Sequence, residues 1–181
     1  MPKLNVKQKN WLLSGHVAAS SLWLGVALAM ALMTIANQKT TNGDELHAVN
    51  AMVKLLDDFV IIPMAIASTL TGTLLCWLTI WGFFKFYWVI TKWLATTALI
   101  IFGTFWLGPW TNSMTAVSES ERVKALTNPL FMFDTRGVIV GGAIQVICLL
   151  AIIAISIIKP WGRRDLQKGD GVNEMKTVSN S

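Results

Sequence analysis

Residues 11–36 read WLLSGHVAASSLWLGVALAMALMTIA, a run without a single charged side chain. The hydrocarbon core of a bilayer is about 30 Å thick and takes about 20 residues of helix to cross, so this run is long enough to span it with some tilt. Three further blocks have the same character: residues 59–84 carry no charge, residues 86–107 carry only Lys92, and residues 137–158 carry none. Strands of a membrane barrel alternate apolar and polar residues over about 10 positions, whereas these blocks are continuously apolar. The pattern therefore predicts an all-α, multi-pass protein, a bundle of four transmembrane helices whose main partner is the lipid bilayer. Composition agrees, since 54% of the 181 residues are hydrophobic and 14% are charged, against roughly a quarter charged in an ordinary soluble domain.

A basic N-terminus ahead of an apolar run also suits a secretory signal peptide, with Ala27-Leu28-Ala29 resembling a cleavage site. The run exceeds the usual h-region of about 7 to 15 residues and holds His16 and Trp23, so it reads as a span. Orientation follows from the flanking charges. On the side of the termini, ten basic residues, among them Lys3, Lys7, Lys9, Lys85 and Arg163, face three acidic ones, a net of +7. On the other side five basic residues face seven acidic ones, a net of −2. Basic flanks stay in the cytoplasm, so both termini are expected there, in the plasma membrane of a bacterial cell. The basic balance then reflects topology, and no nucleic-acid partner is expected. Residues 1–160 form the transmembrane domain, and 161–181, rich in Gly, Lys, Asp, Asn and Ser, read as a disordered cytoplasmic tail.

The connections carry further expectations. Spans two and three are separated by almost nothing around Lys85, which predicts a tight antiparallel hairpin. Residues 44–58 place Leu46, Val49, Met52, Val53 and Leu56 at helical spacing, an outer helical extension of span two. Its apolar stripe is expected to be covered by the second outer loop, which holds Phe131 and Phe133. Within that loop Ser118 and Glu121 match a capping box for a short helix ending before Pro129. Pro63 predicts a kink in span two. Gly137 and Gly141 form a GxxxG at which helices approach closely, within one subunit or in a homo-oligomer. Cys76 and Cys148, both inside spans, read as small apolar core residues.

His16 is the residue most suggestive of chemistry. It lies about five positions into span one, roughly 7 Å below the cytoplasmic surface at 1.5 Å per residue, where a polar side chain is costly and faces the bundle interior. Gly15, Ala19 and Ser20 leave room beside it, and Trp23 continues the same face. An imidazole beside a slot of small residues and aromatics is what a haem requires, one axial nitrogen and an apolar cleft. Lys92 comes to a similar depth in span three and could meet a haem propionate or snorkel to the headgroups. Of the nine tryptophans, most sit near span ends as interfacial anchors, while Trp23, Trp77 and Trp81 are candidates for lining a macrocycle. His47, the only other histidine, is about 30 Å from His16 along the helix axis and reads as part of a solvated outer face with Lys54 and Asp58.

Gly15-His16-Val17-Ala18-Ala19 followed by Leu22-Trp23-Leu24-Gly25 resembles the first-helix pattern, His then Trp-x-Gly, of the copper-resistance protein D type and of the HemJ-type membrane protoporphyrinogen oxidases. Val89-Ile90-Thr91-Lys92-Trp93-Leu94 is similar to the third-helix segment of the latter. The resemblance implies a four-helix protein carrying haem b, with His16 as its iron ligand and Lys92 as a functional lysine. Such a protein would serve electron transfer, haem-linked oxidation or redox sensing, without specifying an enzymatic activity. Two alternatives stand beside it. One is copper handling by Met30, Met33, Met52, Met64 and Met114 with His47, since thioethers and imidazole suit copper. The other is a structural or assembly protein without a cofactor.

The charge asymmetry generates a topological prediction. A reporter fused after Ser181 is expected in the cytoplasm, and cysteines introduced at Asn42 or Glu119 are expected to react with an impermeant maleimide on intact cells. Labelling of Asn42 only after lysis would reverse the orientation.

Overall fold

The computed structural model describes residues 4–79 and 85–161, all of the regular structure among them helical. In chain order the α-helices are α1 (Val6–Asn37), α2 (Gly43–Leu56), α3 (Ile62–Leu78), α4 (Tyr87–Phe102), α5 (Gly108–Glu121) and α6 (Pro129–Ile158). A π turn at Asp57–Ile61 joins α2 to α3, another at Gly103–Leu107 joins α4 to α5, and a 3-10 segment at Arg122–Thr127 precedes α6. Four long rods result, Val6–Asn37, Gly43–Leu78, Tyr87–Thr127 and Pro129–Ile158, each long and apolar enough to cross a membrane. Their outer surfaces are apolar as well: Leu22, Leu32, Ile66, Leu70, Leu94, Ile147 and Leu150 are all exposed. A soluble monomer rarely shows an apolar patch of more than a few hundred Å², so this surface suits lipid.

Local chemistry sets the rod ends. Asn5 and Gln8 form a reciprocal capping box at the start of α1, with bonds of 2.8 and 3.1 Å. Asn42 caps α2 and Asn128 caps α6, each side-chain oxygen accepting backbone N–H groups of the first turn. Gly43 is required for packing rather than conformation, because a Cβ there would lie 2.6 Å from Arg122 Cβ.

The two π turns lie at one level. His47 Nδ1 is 3.4 Å from Ser118 Oγ, and Thr115 Oγ1 donates to the Asn50 carbonyl at 3.3 Å. Continuing that antiparallel register sets 57–61 opposite 104–108. Each π turn is followed by a proline, Pro63 or Pro109, and such a combination is where long helices bend. At Pro63, where the sequence predicts a kink, the helix carries a π turn, and a second π turn precedes Pro109 on the third rod, which the sequence did not suggest.

Packing differs on the two sides of this level. On the loop side α1, α2, α5 and α6 close a full ring, a cap with Leu46, Met114, Ala125, Phe131 and Val138 at its centre. Asn37 Nδ2 donates to the Leu46 carbonyl at 3.1 Å and ties α1 to α2 within it. On the side of the termini α1 packs on α3 and α6, and α6 packs on α4, but α3 and α4 scarcely meet. The expected tight hairpin of spans two and three is therefore corrected: consecutive in sequence, they diverge below the π turns. Residues 80–84, where their connection falls, lie outside the described residues, as does the tail beyond Trp161.

Other expectations are refined. The extension of span two is helical from Gly43, and its stripe is covered by Phe131, while Phe133 faces outward and meets only the edge of Trp110 at 6.1 Å. Ser118 is no N-cap: it is buried within α5, and its hydroxyl donates to the Thr115 carbonyl at 2.9 Å. The third rod simply continues past it to the turn at Arg122, because the face that Ser118 shares with Met114 is buried against α2 and α6. The Gly137/Gly141 face is filled within the subunit. A Cβ at 137 would lie 2.8 Å from the Trp110 ring, and one at 141 would lie 2.8 Å from Leu107 Cδ2. That face is consequently taken up before a second copy could use it.

Phe131, fully buried at the centre of the cap, carries the prediction from this packing. Phe131→Ala is expected to destabilise the protein by about 3–5 kcal/mol through lost apolar contact and a residual cavity. Unfolding in mixed micelles measures it, with the exposed Phe133→Ala as the control expected to change little.

Candidate functional site

The divergence of α3 and α4 leaves a cavity of about 420 Å³ on the termini side of the π turns, walled by all four rods. Pockets of roughly 300–1,000 Å³ hold cofactors and drug-sized ligands. α1 contributes Lys9, Leu13, His16, Ser20 and Trp23. α3 contributes Ser68, Gly72, Thr73 and Cys76 among others, α4 contributes Trp88, Lys92, Trp93, Thr96 and Thr97, and α6 contributes Leu149, Ile152 and Ser156. Trp23 and Leu149 belong to the apolar cluster that closes the deep end beneath the cap.

His16 is held in one orientation. Its Nδ1 lies 3.0 Å from the Ser68 carbonyl oxygen and 3.1 Å from Thr71 Oγ1. Thr71 spends its own hydroxyl proton on the Ala67 carbonyl at 2.6 Å or the Ser68 carbonyl at 3.1 Å, so it accepts from the histidine. A carbonyl oxygen can only accept. The neutral imidazole consequently carries its proton on Nδ1 and its lone pair on Nε2, the nitrogen that makes no hydrogen bond among the described residues. Ser20 supports the same corner, donating to the His16 carbonyl at 2.8 Å and lying 2.8 Å from Ser68 Oγ. Gly72 makes space for the ring, since a Cβ there would lie 3.1 Å from His16 Cε1.

Lys92 lines the same cavity with its ammonium 5.5 Å from the centre of the Trp88 ring, a cation–π contact. Among the described residues no carboxylate forms an ion pair with it, and no Asp or Glu lines the cavity. Lys9 and Lys159 add two more cations at the mouth. Hydroxyls supply the remaining polarity, and those of Thr73, Thr96 and Thr97 make no hydrogen bond among the described residues. Trp23 is 2% exposed, and its indole N–H also lacks a protein partner there.

Of the residues expected at the site, His16, Ser20, Trp23 and Lys92 are brought together. Ala19 is buried away from the cavity, and Gly15 faces outward with nothing within 4 Å of an added Cβ. Trp77 is 59% exposed on the lipid-facing side of α3 and does not line the cavity. It sits one residue past Cys76, so the helix turns it away by about 100°. Trp81 lies outside the described residues. Ser68, Thr71, Gly72 and Cys76 escaped sequence reading because they come from a different span. Cys76, expected in the core, is in the cavity wall instead, whereas Cys148 packs against the apolar cluster and both thiols are free. His47 is half-buried against Ser118 at the α2–α5 contact and not on a solvated face. The methionines considered for copper do not converge: Met114 is in the cap core, Met64 packs on the deep cluster of the cavity, and Met52 is exposed. Among the described residues no group of three or more His, Cys, Asp or Glu side chains gathers.

The chain matches no family model, no curated protein and no solved structure.

The Gly72 contact yields a prediction. Gly72→Val is expected to push the imidazole off the Ser68 carbonyl and abolish the single Nδ1–H tautomer. Nitrogen-15 spectra of histidine-labelled protein, with His47→Gln to assign the two rings, report it. An unchanged His16 tautomer in the valine variant would show that the ring does not depend on the space at residue 72.

Proposed function

We propose that this chain is a b-type haem-binding protein of the membrane, acting in electron transfer, haem-linked oxidation or redox sensing, with His16 as the axial ligand. The observation that carries this reading is the bond from His16 Nδ1–H to the Ser68 carbonyl. Metal-ligating histidines characteristically donate their other ring N–H to such an acceptor, which fixes the tautomer and raises the basicity of the ligating nitrogen. His16 thus has the second-sphere support of a ligand.

The remaining lining fits the same group. Trp23, Leu149 and Ile152 provide an apolar floor, and Lys92, which forms no ion pair among the described residues, offers its ammonium to a propionate. Lys9 at the mouth adds positive charge, and charge-assisted bonds of this kind are about twice as strong as neutral ones. When bound, the haem iron supplies one-electron chemistry whose potential depends on axial ligand, burial and nearby charge. The protein's contribution is to hold the Nε2 lone pair in place, to exclude water at the deep end through the Trp23 cluster, and to set a positive local charge through Lys92. The basic flanks support an orientation with both termini and the cavity end on the cytoplasmic side.

The test is the visible spectrum and pyridine haemochrome of detergent-purified protein expressed with ample iron. A Soret band is expected in the wild type, with haem content falling at least about tenfold in His16→Ala and unchanged in His47→Ala. Retention of haem by His16→Ala with loss in His47→Ala would reverse the ligand assignment, and colourless wild-type protein would refute the reading.

A further inference from the structure

We infer that the split between α3 and α4 is a lateral portal, through which the cavity takes a bilayer-dissolved amphiphile whose carboxylate end is received by Lys92. For its site this inference rests on the cavity proposed above as a haem pocket, but its ligand class is argued from different observations. First, α3 packs on α1 and α4 packs on α6, yet α3 and α4 scarcely pack on each other, so among the described residues the ring of helices is open between them at the level of the cavity. Second, Trp93 both lines the cavity and is 42% exposed on the outer surface of α4, which makes it the lip of the opening. The surface beside the lip is apolar, with Leu94 on α4 and Leu74 on α3 exposed, so the opening gives onto lipid.

Third, the chemistry inside selects for charge and shape. An ammonium within an apolar segment is costly and normally pairs with a counter-charge, but among the described residues Lys92 forms no ion pair and the cavity wall supplies no carboxylate. Thr96 and Thr97, on the same helix, line the cavity with hydroxyls that make no hydrogen bond among the described residues, and these can donate to carboxylate oxygens. The deep end is closed by Trp23 and Leu149 under a sealed cap. A ligand with an apolar body and an anionic end therefore fits with its body toward the deep end and its carboxylate toward Lys92. Such a molecule dissolves in the inner leaflet beside the split.

The experiment uses the full chain carrying Cys148→Ser, reconstituted in phosphatidylcholine vesicles that contain a photoactivatable palmitic acid. Illumination is expected to label the walls formed by α3 and α4. Labelling is expected to fall at least about tenfold, a change of roughly 1.4 kcal/mol, in Lys92→Met, to return in Lys92→Arg, and to resist an excess of hexadecanol. Cys76, the remaining thiol in the wall, is expected to react faster with a bilayer-dissolved N-dodecylmaleimide than with a water-borne sulfonated maleimide. Absence of wall labelling, equal labelling in Lys92→Met, or faster reaction from water would overturn the portal. Haemin is the second probe. If it displaces the palmitate label, the portal and the haem reading are both supported. If it fails to do so while the Lys92 dependence holds, the haem reading falls and the lipid-borne carboxylate stands.

Discussion

Hydrocarbon offers no hydrogen-bond partner to a peptide N–H or C=O, so every backbone group of a lipid-exposed span has to be satisfied within its own helix. The rest of this structure depends on that constraint. It explains why Gly43–Leu78 and Tyr87–Thr127 remain unbroken rods in spite of Pro63 and Pro109. In each rod the ladder shifts to a π turn just before the proline, and the chain continues. The Ile62 N–H donates to the Asp57 carbonyl and the Gly108 N–H to the Gly103 carbonyl, so the irregularity is absorbed as wider hydrogen-bonded turns and not as a break. The two turns fall at about the same level of the bundle, one packed on α1 and the other on α6.

Above and below that level the same four rods do different work. The cap is a closed ring with a conventional apolar core, and its tightness depends on small residues: Gly43 against the Arg122 turn, Gly137 against Trp110, Gly141 against Leu107 and Phe102. In lipid, where burial of apolar groups between helices gains little over contact with acyl chains, close van der Waals approach of this kind is the main source of association. The opposite half gives up one helix contact and gains a cavity. A sealed cap can hold the rods together while the other end stays open, so the cavity does not threaten the integrity of the bundle.

Inside the cavity, the polar side chains are arranged by their neighbours and not by their own helices. His16 is oriented by Ser68 and Thr71 from α3, and it has room because residue 72 is a glycine. Lys92 rests over Trp88 on its own helix, one turn earlier. The site therefore joins a nitrogen with a fixed lone pair to an ammonium and an apolar floor.

Much of this architecture was legible from composition alone. The number of long apolar helices, the helical extension from residue 44 and the unusual standing of His16 and Lys92 follow from hydropathy, periodicity and the cost of polar groups at depth. These are properties a segment carries wherever it is placed. The partners of each face were not legible. Trp77 and Trp23 look alike as indoles in apolar runs, yet one faces lipid and the other is buried, because the cavity side of α3 is fixed by where α1 and α4 lie. Ser118 matched a capping signal, but burial against α2 kept it in mid-helix. The contribution of Ser68, Thr71, Gly72 and Cys76 came from a different rod and had no local signature. The sequence by itself determined that the chain forms four helices long and apolar enough to cross a membrane, and where polar groups fall within those apolar segments, since transfer free energy belongs to the residues themselves. Only the tertiary structure decided that the second and third spans part company below the π turns and that His16 meets α3, since those outcomes depend on how side chains of distant segments fill the space between them.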